Sequence, residues 1–234
     1  MNNLIHDPKT ILFAIIGGVI PAILWLWFWF KEEDDEDPEP IGLIILSFIL
    51  GALIVFLAIW LEKLSLNYIL EETWKIITWA SIEEILKFLG VAVIIFGTGI
   101  IKEPIDYPMY FIATALGFAA LENVLFLLDP LQSSGMVVGI MTGNLRFLGS
   151  TLLHAIASGL VGIALGFSYH KKVHKTGYII IGLLAAITLH SIFNFFIMKG
   201  SGENFLSVFG FLWVITIISI LIFEKLRRMG EPIH

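Results

Sequence analysis

Seven side chains stand out for chemistry in this chain of 234 residues: Glu83, Glu84, Lys87, Glu122, His154, His190 and Asn194. Lys87 follows Glu83 by four residues and Glu84 by three, so one face of a helix offers the ammonium to either carboxylate. Asn194 follows His190 by four, which puts amide and imidazole on one face, and Asn123 adjoins Glu122. Two imidazoles and two or three carboxylates suit a His/Glu metal site with one carboxylate left over as general base. They suit equally a metal-free site in which Glu activates water and His or Asn donors stabilise the oxyanion. The chain has no cysteine, which excludes a thiol nucleophile, a thiolate metal site and any disulfide. The patterns HExxH and GxSxG are both absent. Asp106 and Asp129 sit at the edges of apolar runs and do not form an intramembrane aspartate pair.

The elements that carry these groups are set by composition. The chain is 58% hydrophobic and 15% charged, with a mean hydropathy of +0.91, more apolar surface than a soluble domain of this length can bury. Seven apolar runs are long enough to cross a bilayer: Ile11 to Phe30, Ile41 to Leu61, Trp74 to Phe96, Tyr107 to Leu128, Arg146 to Ser168, Tyr178 to Met198 and Phe205 to Phe223. No strand-length alternation competes with them, and helices satisfy their own backbone groups in lipid. The expected fold is therefore all-α, a polytopic transmembrane bundle of about seven spans forming one domain over residues 1–234, with a four-helix core at 74–198.

The first run is too long for a signal-peptide core and is followed by Lys31 and acids, so it reads as a retained span. Its Gly17, Gly18 and Pro21 suit a bent packing helix. Glu62 to Thr73 mixes Leu, Ile and Tyr with acids, as an interfacial helix before the third span would. Trp25, Trp27 and Trp29 suggest an interfacial aromatic belt. Seven of the twenty acids lie between Glu32 and Glu39, which reads as a solvated loop and accounts for the net charge of −6. No basic aromatic surface points to nucleic acid.

Six ionisable groups remain inside spans three to six, where each costs a few kcal/mol and needs a partner. At about 1.5 Å per residue, Glu83 and Glu84 lie about 14–15 Å below Trp74 and His154 about 12 Å below Arg146. Glu122 lies about 9 Å from Leu128, and His190 about 12 Å from Met198, measured toward the same side. Helices of alternating direction thus bring their polar groups to one layer. Lysines and arginines are more numerous on the loops shared with the C-terminus, which predicts an extracytoplasmic N-terminus and a cytoplasmic C-terminus.

These residues resemble the PrsW-type intramembrane proteases, within the wider group of CAAX-processing and bacteriocin-processing proteins. Glu83-Glu84-Ile-Leu-Lys87 matches the EExxK motif and Phe118-Ala-Ala-Leu-Glu122-Asn123 the FxxxEN motif. His154 with Gly162 matches HxxxxxxxG, and His190-Ser-Ile-Phe-Asn194 matches HxxxN. The resemblance spans about Trp74 to Met198. It implies cleavage of a membrane-anchored protein substrate such as an anti-sigma factor, cut from outside the cytoplasm, and a metallopeptidase classification, with glutamate-only hydrolysis in the wider group as the other option. On that basis Glu83 is the expected base, paired with Lys87, and Glu84 its neighbour or an additional ligand. Consecutive helical residues point about 100° apart, so only one of the two is expected to aim straight into the site. Asn194 and a histidine stabilise the oxyanion, and Glu122, His154 and His190 hold zinc with one position open for water.

Two other classes fit the same groups. A proton-coupled transporter or channel also uses intramembrane Glu, Lys and His, but needs polar groups from face to face and often inverted repeats, neither of which the sequence displays. A non-catalytic scaffold of the same fold is the third, against which the retention of every motif side chain argues. Arg146, at the mouth of the fifth span, reads as a headgroup-snorkelling side chain, with binding of a substrate carboxylate or phosphate as its functional alternative. Gly117, Gly159, Gly162 and Gly166 allow close helix approach, with room for substrate as the alternative.

Overall fold

The computed structural model describes residues 8–31, 39–133, 147–171, 175–199 and 205–230. Arg146, His6, His174, His234 and positions 32–38 of the acidic run lie outside the described residues. The described residues form seven α-helices: α1 Pro8–Phe30, α2 Ile41–Ser65, α3 Glu72–Thr98, α4 Asp106–Ser133, α5 Leu152–Phe167, α6 Lys175–Lys199 and α7 Phe205–Gly230. A one-turn π-helix, Phe147–Thr151, leads directly into α5. The described residues contain no strand. Every expected span is a helix. Six of them are apolar enough to cross a bilayer by composition alone, whereas α3 is as long but carries Glu83, Glu84 and Lys87 along its middle.

Helix α4 is the hub, packed by α1, α2 and α5, while α3 touches α2, α4, α5 and α6. Two close crossings fix α2 on α4. A Cβ on Gly117 would stand 1.8 Å from the Phe48 carbonyl oxygen, and one on Gly51 1.9 Å from that of Thr114, so neither position admits a side chain. Gly162 lets α5 pass the backbone of Pro108, where a Cβ would lie 2.4 Å from its Cα. The glycine of the HxxxxxxxG motif is thus a packing residue. Outward faces, such as Leu12, Ile20 and Ile23 of α1 and Ile181 and Leu184 of α6, are exposed and apolar, as a lipid-facing surface requires.

Three local expectations are corrected. No interfacial helix precedes α3: α2 continues to Ser65, and the chain then turns, with Tyr68 and Ile69 N–H donating to the Ser65 carbonyl. Glu71 then caps α3 by accepting the N–H groups of Thr73 and Trp74. Tyr68 and Leu70 are about four-fifths exposed on that turn, so the amphipathic composition belongs to a loop. Glu39, the last acid of the run, is buried and accepts a hydrogen bond from the Tyr110 hydroxyl, and is no part of a solvated loop. Trp29 is buried against Phe223, so only Trp27 of the three tryptophans is widely exposed.

Candidate active site

Each helix of the core delivers its polar group to a common point. Lys87 on α3 is fully buried, and its Nζ lies 2.8 Å from Glu84 Oε1, 2.8 Å from His154 Nδ1 and 3.5 Å from Glu83 Oε2. The three N–H bonds of an ammonium are thereby all used. The Phe118 ring lies beneath it, with its centroid 4.3 Å from Nζ, and also packs on His154. This accounts for the phenylalanine that begins the FxxxEN motif.

Glu84 is saturated. Its Oε1 accepts from Lys87 and from His190 Nδ1 at 2.9 Å, and its Oε2 accepts from Ser158 Oγ at 2.7 Å. Glu83 is held more loosely: its Oε2 lies 3.7 Å from His154 Nδ1 and 3.9 Å from His190 Nε2. Both glutamates therefore enter the site, against the expectation that only one aims into it, because they reach opposite nitrogens of the same His190 ring. The ammonium, which the spacing offers to either carboxylate, is nearer to Glu84 than to Glu83, the partner expected from the resemblance.

The partners set which ring nitrogens donate. A carboxylate only accepts, so His190 donates Nδ1–H to Glu84, and its Nε2 faces Glu83 Oε2 at 3.9 Å. An ammonium only donates, so His154 accepts at Nδ1 from Lys87 and donates Nε2–H to Glu122 Oε2 at 2.9 Å. Both rings, 5.0 Å apart and nearly perpendicular, present a nitrogen to Glu83. Each ring is oriented from behind by a second carboxylate, the arrangement that steadies metal-binding histidines.

The donor set passes a test of fit for a metal ion. One ligand atom each from Glu83, His154 and His190 lies within 4.8 Å of the others, and all three residues are buried. Tetrahedral zinc with bonds of about 2.0–2.1 Å needs its donors about 3.3 Å apart, so shifts of roughly half an ångström close the distances of 3.7 and 3.9 Å. The set expected from sequence shares both histidines with this one but has Glu122 as its carboxylate. Glu122 instead stands behind His154, with its side chain about one-third exposed.

Asn194 lies half-buried one turn beyond His190 and makes no hydrogen bond to the described residues of the cluster. Asn123 donates from Nδ2 to Thr151 Oγ1 at 2.8 Å, tying α4 to the π-turn that sets the start of α5, three residues before His154. Ser158 and Thr151 are site residues that sequence reasoning missed. Ser158 is four residues after His154, and that spacing on one helix face is the signal that finds it. Asp106 stays at an edge, where its Oδ2 accepts the N–H groups of Lys102 and Glu103.

The model of a family described as PrsW family intramembrane metalloprotease matches residues 39–222. The chain belongs to the PrsW family. The match takes in all the residues of the site and extends beyond the motif-bearing stretch 74–198 to include α2 and most of α7. Among curated relatives, "Protease PrsW" of Oceanobacillus iheyensis is 29% identical over 198 residues, covering 82% of this chain and 85% of that protein. "Protease PrsW" of Shouchella clausii is 24% identical over 147 residues, covering 63% and 65%. That of Clostridioides difficile is 25% identical over 165 residues, covering 68% of each. No solved structure matches the chain. Membership of this family, with six apolar helices, makes the chain a multi-pass membrane protein and supports a membrane protease.

Proposed function

We propose that the chain is an intramembrane protease of the regulated, first-cut type, which hydrolyses a peptide bond of a membrane-anchored protein such as an anti-sigma factor. Its catalytic core is residues 74–198, and its site opens toward an extracytoplasmic N-terminal face. The observation that carries the reading is Glu83 Oε2 facing one nitrogen of each of two buried imidazoles at 3.7 and 3.9 Å. That is a place for a water molecule with a carboxylate as its base.

In this mechanism Glu83 takes the proton of the attacking water and returns it to the leaving amine after the C–N bond breaks. Asn194, whose amide is not committed to the cluster, donates to the oxyanion. Glu84, held by Lys87, His190 and Ser158, orients His190, and Glu122 orients His154. Zinc, where bound, would be held by Glu83 Oε2, His154 Nδ1 and His190 Nε2 and would supply Lewis acidity to water and carbonyl, with the second oxygen of the Glu83 carboxylate left to take the proton. Glu122 in this reading acts through His154 and is not a ligand itself.

The test uses purified protein in liposomes with a single-span reporter. Cleavage near the extracytoplasmic boundary, lost on chelation and restored by zinc, supports the reading. Proton flux without cleavage would support a transporter instead, and activity that persists without metal would remove zinc while leaving the glutamate mechanism.

A further inference from the structure

Lys87 occupies an unusual place for a charged residue. It is fully buried, and its ammonium touches one donor of the metal-fitting set, His154 Nδ1, at 2.8 Å. Its other neighbours are Glu84 Oε1 at 2.8 Å, Glu83 Oε2 at 3.5 Å and the ring of Phe118. The residues that could hold an ion are thus already arranged around a cation supplied by the chain itself. The contact with His154 is decisive, because a neutral imidazole nitrogen has a single lone pair. While that lone pair accepts a hydrogen from Lys87, no metal can use it. The other nitrogen of the ring faces Glu122.

We infer that Lys87 is a built-in cation that competes with zinc for His154 Nδ1, so that metal loading requires the ammonium to leave His154. The inference rests on the zinc-assisted reading above and concerns how that site is regulated. Glu84 gives the displaced ammonium somewhere to stay, since their 2.8 Å ion pair does not involve His154. The chain then has two arrangements. In one, Lys87 bridges α3 to α5 and the site is closed to metal; in the other, Lys87 pairs with Glu84 alone and His154 joins Glu83 and His190. Lys87 of the EExxK motif thereby sets a threshold of zinc concentration below which the histidines stay locked.

The experiment titrates zinc alone into the purified full-length protein against a chelating indicator, comparing wild type with Lys87→Met. Zinc should bind the variant at least tenfold more tightly. Loss of a nearby positive charge would act in the same direction, so a zinc-loaded structure of the wild type provides the second arm. There the Lys87 Nζ to His154 Nδ1 separation should exceed hydrogen-bond range while the ion pair with Glu84 persists. Equal zinc affinity in the two proteins, or a zinc-loaded wild type that keeps the Lys87 to His154 bond, overturns the inference and leaves the protease reading standing. If neither protein binds zinc, the inference falls together with zinc assistance, and cleavage by the metal-free enzyme still reports on Glu83. If Lys87→Met does not fold, the zinc-loaded wild-type structure decides alone.

Discussion

The two adjacent glutamates should respond very differently to the same isosteric change. Glu84 is fully buried, and it is the nearest counter-charge of Lys87 as well as the acceptor for His190 and Ser158. Glu84→Gln removes that charge and leaves the buried ammonium with Glu83, 3.5 Å away and near the limit of a useful hydrogen bond, as its nearest counter-charge. Breaking a buried ion pair from one side costs about 3–5 kcal/mol. In Glu83→Gln, by contrast, Lys87 keeps its 2.8 Å partners and Glu84 keeps all three of its donors. The only bond weakened is the 3.5 Å one, worth about 0.5–1.5 kcal/mol at most. Equilibrium unfolding in nanodiscs, followed by the fluorescence of the seven tryptophans, measures both. Glu84→Gln should lose at least about 1.5 kcal/mol more than Glu83→Gln, by subtraction of these ranges, while both lose cleavage. Equal destabilisation, or a larger loss for Glu83→Gln, would refute the division into an organising and a reacting carboxylate.

Further consequences can be measured on the same footing. Ser158→Ala removes one charge-assisted bond to Glu84 and should cost about 1.5–3 kcal/mol, with the fold retained in the same unfolding assay. Gly117→Val places a side chain where a Cβ already meets the Phe48 carbonyl oxygen at 1.8 Å. It should abolish monodisperse elution on size exclusion, whereas Gly210→Ala, with open space around it in the second turn of α7, should be neutral or gain up to about 1 kcal/mol. Asn194→Ala should lower the cleavage rate by about 10²–10³, the range for loss of one oxyanion donor, with little change in thermal midpoint because the amide makes no bond to the cluster. A large drop in that midpoint would show that Asn194 is structural.

The helices were legible because a bilayer leaves the backbone few choices. Runs such as Ile41 to Leu61 can only be spans, and the structure carries that one on from the same start to Ser65. The site was legible for the complementary reason: Glu83, Lys87, Glu122, His154 and His190 are costly in lipid, and equal depth estimates on alternating helices brought them to one layer, where the structure also has them. Sequence could not say which oxygen or nitrogen meets which. The exchange of partners, with Lys87 nearer Glu84 and Glu122 behind His154, depends on how each helix is turned about its axis, which tertiary contacts such as Gly162 on Pro108 determine. Thr151 was hidden because a π-turn shifts the register just before α5. The stretch from Leu66 to Glu71 failed as a helix because composition alone cannot tell an amphipathic turn, closed by Ser65 and ended by the Glu71 cap, from an amphipathic helix.

The central claim is that Glu83, between two imidazoles, activates the water that cuts the substrate. Co-expression of a tagged single-span membrane protein with wild type or Glu83→Gln, at matched levels of folded enzyme, tests it most directly. Wild type should release a shortened fragment, and the variant should leave the substrate whole. Fragment released by Glu83→Gln at the wild-type rate would contradict the account.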